Sequence, residues 1–194
     1  MNSSDKSNFH TLTLVSLFAA LMAVLGLIPK IDLPLGVPIT LQTLGVMLAG
    51  CLIGPKRGMQ AMLLFLFAVA LGLPLLSGGR GGMGVFFAPS SGYLVAWPLG
   101  ALFTGWLMKV LPGSTPVRST VSAFVASAAG GLLVVHAFGV VGLVLIAKLS
   151  WTQSLLGTLA FVPGDLIKCG MCALVVQSVA RGLPEWPLGG RTVS

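Results

Sequence analysis

Two opposite charges stand three residues apart in one of the most apolar parts of this sequence. Asp165 and Lys168 lie within the stretch from Phe161 to Val176, where most side chains are hydrophobic. On a helix this spacing places both side chains on one face. A charge near the centre of a bilayer costs at least about 2.5–3.5 kcal/mol, and the chain has only four acidic residues. We therefore interpret the pair as a ligand site, with a purely structural ion pair between helices as the alternative.

The pair offers complementary hydrogen-bonding groups. Asp165 falls near the third residue of the predicted helix, where free backbone N–H groups and the positive end of the helix dipole favour an anion. Lys168, one turn later, can neutralise that anion. The carboxylate accepts hydrogen bonds and the ammonium donates them. A neutral ligand with adjacent N–H and C=O groups would match both.

A glycine-rich segment supplies a second set of candidates. Between Ser77 and Tyr93 the glycines allow close backbone approach and mobility. Arg80 could receive a carboxylate at the mouth of a site, while Tyr93, Phe86 or Phe87 could form an apolar wall. The alternative is a flexible loop whose arginine faces water.

Weaker candidates lie on three other predicted helices. Ala19 and Ala23 are four residues apart, and small residues at that spacing let a second helix approach closely. The alternative for these alanines is internal packing. Gln42, near the end of the second helix, is a possible site-lining residue. His136 lies in an apolar run, and we interpret it as a packed or interhelical hydrogen-bonding residue.

Several function classes lack their motifs here. The chain has no G-x-x-x-x-G-K-[ST] for the P-loop route to ATP hydrolysis, and no H-E-x-x-H or carboxylate–histidine cluster. Ser90 or Ser91 with His136 would suit an intramembrane hydrolase only if they met at the same depth. Cys169 and Cys172 lie in an apolar helical run and are interpreted as core packing. Basic residues are scattered singly, which argues against nucleic-acid binding. We predict no catalytic residue, metal or cofactor.

The composition is that of an integral membrane protein. Hydrophobic residues make up 56% of the chain and charged residues 8%, and the mean hydropathy is +1.01, whereas soluble domains carry about 25% charged residues. A helical span needs about 20 residues. We predict an all-α membrane domain over residues 1–194, with six transmembrane helices at about 9–28, 39–53, 59–76, 92–110, 117–147 and 163–181.

Two of these segments are irregular. The fifth is too long for one straight span, and it contains glycines where it could bend: Gly130, Gly131, Gly139 and Gly142. Residues 151–161 form either a short separate helix or the first turns of the last span. Pro163 favours a fresh helix start, because proline is accepted at the first helical position.

Basic residues set the predicted orientation. With six spans both termini share one side, and the side with more Lys and Arg is cytoplasmic. The opposite side holds Lys30, Arg80 and Lys148. The terminal side holds more of them, namely Lys6, Lys56, Arg57, Lys109, Arg118, Arg181 and Arg191. We therefore predict that both termini are cytoplasmic. The charged start of the last helix, the glycine-rich loop, the start of the fourth helix and the first loop with Asp32 then converge toward the outer face.

Three motifs together resemble a known family. The second-helix stretch Val37–Gly50, the sequence Pro89-Ser-Ser-Gly-Tyr-Leu94, and Phe161-Val-Pro-Gly-Asp-Leu-Ile-Lys168 are similar, in order and spacing, to signatures of BioY. This family is the biotin-specific substrate-capture component of energy-coupling factor (ECF) transporters. The resemblance covers about residues 9–182. Ser90 departs from the usual threonine but keeps the hydroxyl.

The resemblance implies six transmembrane helices in a bacterial inner membrane and a high-affinity biotin pocket toward the outer face. It implies ligand roles for Asp165 and Lys168, which can meet the N–H and C=O groups of biotin's ureido ring. We add Arg80 as the carboxylate partner and, as lining, Tyr93, Ser90 and Gln42.

The resemblance also implies partners, namely a membrane coupling subunit and two ABC-type ATPases. The Ala19-x-x-x-Ala23 stripe, in the cytoplasmic half, resembles the A-x-x-x-A contact through which such components dock. The predicted function is thus biotin uptake by a binding subunit without catalytic activity. The alternative is a stand-alone carrier for biotin or another small vitamin-like solute.

Overall fold

The chain forms a bundle of α-helices, as described for residues 3–32 and 36–191 in a computed structural model. Side chains are described from Asn8 onward except in the gap, so Pro34 of the first loop and the side chain of Lys6 lie outside this description. The helices are α1 (Ser3–Gly26), α2 (Gln42–Ile53), α3 (Pro55–Ala70), α4 (Ser91–Val110), α5 (Pro116–Ala126), α6 (Val135–Leu145), α7 (Trp151–Leu159) and α8 (Val162–Gly182). The described residues contain isolated β-bridges but no strand, so the all-α prediction is confirmed.

Four stretches in the described part of the chain are long and apolar enough to cross a membrane. They are Asn8–Gly26, Ser91–Val110, Pro116–Leu145 and Val162–Gly182. Helices α2, with 12 residues, and α3, with 16 residues, would span only about 18 and 24 Å at a rise of about 1.5 Å per residue. The architecture is that of an integral membrane protein, and the count of six spans stays a prediction.

Helix α2 is short and lies at the centre of the bundle. Val46, Met47, Ala49 and Cys51 are fully buried, and the helix contacts α1, α3, α4 and α8. A helix that is hydrophobic on all sides is typical of a protein core or a membrane span, and here neighbouring helices surround it. The first turn of α2 is thereby held among the other helices, where it can contribute to a shared site.

The long fifth segment is a continuous helix with an irregular middle. Between α5 and α6, residues Ser127–Val134 form a π-helical stretch that includes Gly130 and Gly131. A side chain at Gly130 would collide with Thr104 of α4, and one at Gly131 would collide with Met47 of α2. The two glycines therefore let the π stretch pack directly on both helices, and π stretches are frequent at functional sites.

The third helix departs most from its predicted bounds, and the structure decides between the two alternatives for residues 151–161. The third helix begins at Pro55, not near residue 59, and ends at Ala70, because proline is well suited to the first turn. Residues Trp151–Leu159 form a separate helix, whose start is fixed by a capping box between Ser150 and Gln153. The last helix then starts afresh at Val162, with Pro163 in its first turn.

Close contact between α4 and α6 depends on two glycines. A Cβ atom at Gly92 would lie 2.5 Å from the carbonyl oxygen of Phe138 and 2.8 Å from the Cα of Gly142. Such backbone proximity is available only to small residues. The same crossing brings the ring of Tyr93 within 5.9 Å of the ring of His136, centroid to centroid.

The segment that follows α8 holds together the end of the bundle at which α2 and α4 end. Trp186 Nε1 donates to the carbonyl oxygen of Leu52 at 2.8 Å. Arg191 donates to carbonyl oxygens of Met108, Lys109 and Leu111 at the end of α4. These carbonyls have no partner within the helix, so the arginine acts as their cap.

We expect Gly92→Ala to destabilise the protein by about 1–3 kcal/mol, because the added methyl group forces α4 and α6 apart. Gly170→Ala in α8 is the matched control, since a Cβ there meets no atom within 4 Å. That substitution should leave the stability unchanged or raise it slightly through helix propensity. The measurement is the free energy of unfolding in detergent. Equal effects of the two substitutions would contradict the close crossing.

Candidate ligand-binding site

A cavity lies at one end of the bundle, between the first turns of α2, α4 and α8, the middle of the α5–α6 run, and the loops before α2 and after α3. Its wall contains apolar side chains such as Val37, Leu94 and Phe161. An apolar cavity with a few convergent polar groups is typical of a small-molecule site. The polar wall residues are Thr40, Gln42, Thr43, Arg80, Ser90, Tyr93, Trp97, His136, Asp165 and Lys168.

The charged pair is buried in this wall and joined to α2. Lys168 Nζ lies 2.7 Å from Asp165 Oδ1, and the two residues are 5% and 3% exposed. Thr43 Oγ1 donates to the same Oδ1 at 3.1 Å and accepts from Lys168 Nζ at 2.9 Å. One hydroxyl of α2 therefore bridges both charges of α8. The side chains do share one face, as their spacing predicts.

The backbone at Asp165 differs from the sequence expectation. Asp165 is the fourth residue of α8, in its first turn, and its own N–H already donates to the carbonyl oxygen of Phe161 at 2.9 Å. The side chain is stabilised instead by Lys168 of the same helix and by Thr43 of α2. The sequence indicated the charge pair correctly. It gave no indication of Thr43, because a hydroxyl side chain is not unusual in an apolar helix.

His136 is a third polar group beside this pair. Its Nδ1 lies 2.9 Å from the carbonyl oxygen of Leu132, and a carbonyl oxygen only accepts, so Nδ1 carries the hydrogen. Its Nε2 lies 3.2 Å from Asp165 Oδ2 but has no hydrogen bond of good geometry within the described residues. The sequence predicted a packed or interhelical hydrogen-bonding residue, and the structure places His136 of α6 directly beside Asp165 of α8 in the candidate site.

Aromatic rings form one side of the cavity. The ring of Tyr93 lies 5.8 Å from that of Phe161, and Phe161 lies 5.9 Å from the imidazole of His136. The hydroxyl of Tyr93 is hydrogen-bonded to Thr158 at 2.8 Å, so α7 holds this ring in place. The predicted alternatives Phe86 and Phe87 do not line the cavity, and Phe87 is 75% exposed.

Gln42 lines the cavity, but its amide is engaged by the backbone. Its Nε2 donates to the carbonyl oxygens of Met22 and Leu75, each at 3.1 Å. Its Oε1 accepts from the N–H of Ser77 at 3.2 Å. The side chain thereby joins the end of α1 to the loop after α3. With 1% of its surface exposed, Gln42 shapes the wall by positioning its neighbours.

Arg80 lies in the loop that closes another side of the cavity. Its Nη1 donates to Ser90 Oγ and its Nε to the carbonyl oxygen of Ser77, both at 3.4 Å. Burial lowers the pKa of Arg80 and the nearby carboxylate of Asp32 opposes that shift, so the guanidinium stays charged. The charges of Asp165 and Lys168 cancel. When His136 is neutral, the cavity wall therefore carries one net positive charge, that of Arg80.

The hydrolase alternative lacks its central contact. Ser90 Oγ accepts from Arg80, while the imidazole of His136 is held between Leu132 and Asp165. Nucleophilic catalysis by a serine needs the base in hydrogen-bond reach of its hydroxyl. No such serine–histidine bond exists among the residues described.

The alanine stripe of α1 lies away from the cavity. Ala19 and Ala23 are half-buried and pack against the hydrophobic core. The neighbouring residues Leu17 and Val24 are 60% and 57% exposed. The face of α1 that includes these exposed residues is open to lipid or to another protein.

A helical bundle with spans of membrane length and a charged, partly aromatic cavity at one end defines a membrane-embedded ligand-binding protein. The chain belongs to the BioY family, whose family model matches residues 1–185. The predicted family membership is therefore confirmed.

Individual relatives match over nearly their whole length. The biotin transporter BioY of Rhizobium etli is 46% identical over 179 residues, which cover 91% of this chain and 96% of that protein. The biotin transporter BioY of Rhodobacter capsulatus is 41% identical over 185 residues, with 91% and 96% covered. A solved structure of the S-component for biotin from an ECF-type ABC transporter matches with a TM-score of 0.80 and 31% identity, over 93% of this chain and 95% of that one. The prediction of a transport function is confirmed by these relatives.

We expect Gln42→Leu to lower the free energy of unfolding by on the order of 3 kcal/mol, because three backbone groups lose a hydrogen bond and two of these bonds are buried. Gln60→Leu on the exposed side of α3 is the matched control and should change stability by less than about 0.5 kcal/mol. Unfolding in detergent, followed by circular dichroism, checks both. A stable Gln42→Leu protein would show that these backbone contacts contribute little.

Proposed function

We propose that this chain is the biotin-binding S component of an ECF-type transporter and takes up biotin from outside the cell. The observation that carries the proposal is the buried cluster of Asp165, Lys168 and Thr43 in the wall of the cavity. Buried charges inside a membrane protein usually belong to a ligand or ion path. The names of the BioY relatives identify the ligand class.

The chemistry of biotin suits the cavity. The ureido ring has two N–H donors and one carbonyl acceptor, which Asp165 and Lys168 complement. The fused rings are apolar and match the aromatic side formed by Tyr93 and Phe161. The valerate carboxylate is a single negative charge, equal and opposite to the net charge of the wall, and Arg80 is its natural partner. Ser90 positions Arg80 through their hydrogen bond.

The proposed topology has six spans in the inner membrane of a bacterium. Four are the long apolar stretches, and α2 and α3 are the other two. Both termini are cytoplasmic, because seven of the basic residues considered lie on the terminal side and three on the other. The whole chain forms one transmembrane domain. The cavity then opens toward the outer face, where a capture subunit meets its ligand. The glycine-rich loop with Arg80 would close over bound biotin, and unchanged loop mobility on ligand addition would argue against that closure.

The proposed partners are a membrane coupling subunit and two ABC-type ATPases. The sequence has no P-loop of its own, so energy for uphill transport would come from the ATPases. Ala19 and Ala23, with the exposed face of α1 around them, would form the docking contact with the coupling subunit. Small residues at that spacing allow helices to approach closely.

A stand-alone carrier is the second candidate, and the contact between His136 and Asp165 favours it. A carboxylate beside an imidazole inside the membrane is typical of proton relays. Vesicles that contain this protein alone separate the two candidates. Uptake driven by a proton gradient without ATPases would support the carrier, and uptake that requires ATP and the partner subunits would support the capture component.

We expect Asp165→Asn and Lys168→Ala each to reduce biotin affinity at least a hundredfold, because each leaves the partner charge buried and unpaired and removes a ligand contact. Glu185→Gln and Lys109→Ala are the matched controls, since both residues are exposed at the other end of the bundle. The measurement is calorimetric titration of the purified protein with biotin. Circular dichroism establishes that each variant is folded.

Two results would contradict this proposal in different ways. If the folded wild type binds no biotin, the substrate assignment fails. If it binds biotin and both folded variants bind equally well, the pair is a structural ion pair and the site lies elsewhere.

We expect Arg80→Met to weaken biotin binding about tenfold or more and to leave the binding of biotin methyl ester nearly unchanged, because only the free acid offers a charge to the guanidinium. Arg118→Met, at the start of α5, is the control. Titrations of both ligands against the three proteins check this. An equal loss for acid and ester would assign Arg80 a role in loop structure instead.

A further inference from the structure

Two buried polar atoms in the wall of the cavity lack a hydrogen bond within the described part of the chain. Trp97 and His136 are 4% and 7% exposed, and both line the cavity. Trp97 Nε1 and His136 Nε2 make no hydrogen bond to any residue in 3–32 or 36–191. Buried polar groups are almost always hydrogen-bonded, because an unsatisfied one costs about 1–3 kcal/mol in proteins. Two such atoms in one cavity therefore indicate a ligand that supplies the missing partners.

Trp97 contributes a donor. It lies one turn after Tyr93 on α4, so the two side chains share a helix face. Its ring contacts that of Phe65, with centroids 6.0 Å apart, and this contact holds the indole in place. The indole N–H can only donate. A ligand that satisfies it must present an acceptor such as a carbonyl oxygen.

His136 contributes an acceptor. Because its Nδ1 hydrogen is used by the carbonyl oxygen of Leu132, Nε2 of the neutral ring carries a lone pair. That lone pair lies 3.2 Å from Asp165 Oδ2, which is also an acceptor. Two acceptors that face each other repel, and an N–H group donating to both would relieve the repulsion. The ligand group that fits beside them is therefore an N–H.

We propose that Trp97 and His136 form a second donor–acceptor pair that recognises the ureido ring together with Asp165 and Lys168. This inference rests on the proposed biotin-binding function. The ureido carbonyl has two lone pairs, and the ring has two N–H groups. Lys168 and Trp97 donate to the carbonyl oxygen, while Asp165 and His136 both accept from one N–H group, because their acceptor atoms lie only 3.2 Å apart. The carbonyl oxygen and this N–H group then have partners from this chain.

Such a site selects strongly for the intact ureido group. A site built around hydrogen bonds rejects an analogue that lacks one of them, because its own buried groups are then left unpaired. Conversion of C=O to C=S weakens the acceptor, and methylation of a ring nitrogen removes one donor. The C=S change tests the donor Trp97 and N-methylation tests the acceptor His136, so the two residues can be tested separately.

The test of Trp97 compares biotin with 2-thiobiotin in calorimetric titrations. Trp97→Phe keeps the aromatic contact and removes only the N–H, so we expect about a tenfold loss of biotin affinity and at most a twofold loss for 2-thiobiotin. The control is Trp106→Phe, since Trp106 lies on the same helix, is 49% exposed and is absent from the cavity wall. Equal losses for both ligands would mean that Trp97 only packs, which would overturn its assigned role.

The test of His136 compares biotin with its two N-methyl ureido derivatives. His136→Phe should weaken biotin binding about tenfold and leave unchanged the already weak binding of the derivative methylated at the nitrogen that faces His136. If His136→Phe does not fold, the affinities of the wild type for the two N-methyl derivatives test the role of His136 instead. A loss of tenfold or more for at least one N-methyl derivative supports the shared N–H contact, and full affinity for both overturns the role of His136. Absence of biotin binding by folded wild type would instead overturn the proposed function itself.

Discussion

The burial of the Asp165–Lys168 ion pair is the constraint on which the rest of the structure depends. Removing two charges from water costs several kcal/mol for each, and their attraction repays this only with good geometry and further hydrogen bonds. The hydroxyl of Thr43 supplies such bonds to both charges. The first turn of α2 must therefore lie against the first turn of α8. This requirement agrees with the position of α2 at the centre of the bundle, where most of its residues are buried.

Close helix contacts then bring further polar groups to the same place. Gly92 and Gly142 let α4 and α6 touch, so that Tyr93 and His136 meet beside Asp165. Most of these side chains are held by contacts within the chain, as Tyr93 is by Thr158. A wall whose groups are already oriented loses little conformational freedom on binding, which favours high affinity.

The two ends of the bundle have different properties. One end carries the cavity, the glycine-rich loop and a wall with one net positive charge. The other end carries most of the basic residues, and the segment after α8 ties it together through Trp186 and Arg191. One end held together by hydrogen bonds and one end covered by a loop agree with the proposed topology, in which the ligand enters at the loop-covered end.

Several site residues were predictable because their signals are local. Asp165 and Lys168 stand out by charge against an apolar background, and their shared face follows from helix periodicity alone. Arg80, Ser90 and Tyr93 belong to one short segment, and the structure does bring them to the cavity wall. The all-helical class follows from hydropathy in the same way.

The sequence by itself determined the apolar helices, the charge pair and the sign of the charge at each end. Only the tertiary structure decided that Thr43 and His136 contact the pair, that Trp97 lines the same cavity, that Phe87 faces outward, and that the amide of Gln42 bonds to the backbone. The physical reason is that contacts between helices join residues far apart in the chain, such as Thr43 and Lys168, which are 125 positions apart. Such contacts depend on how apolar surfaces pack, and one apolar helix face resembles another until its neighbours are known.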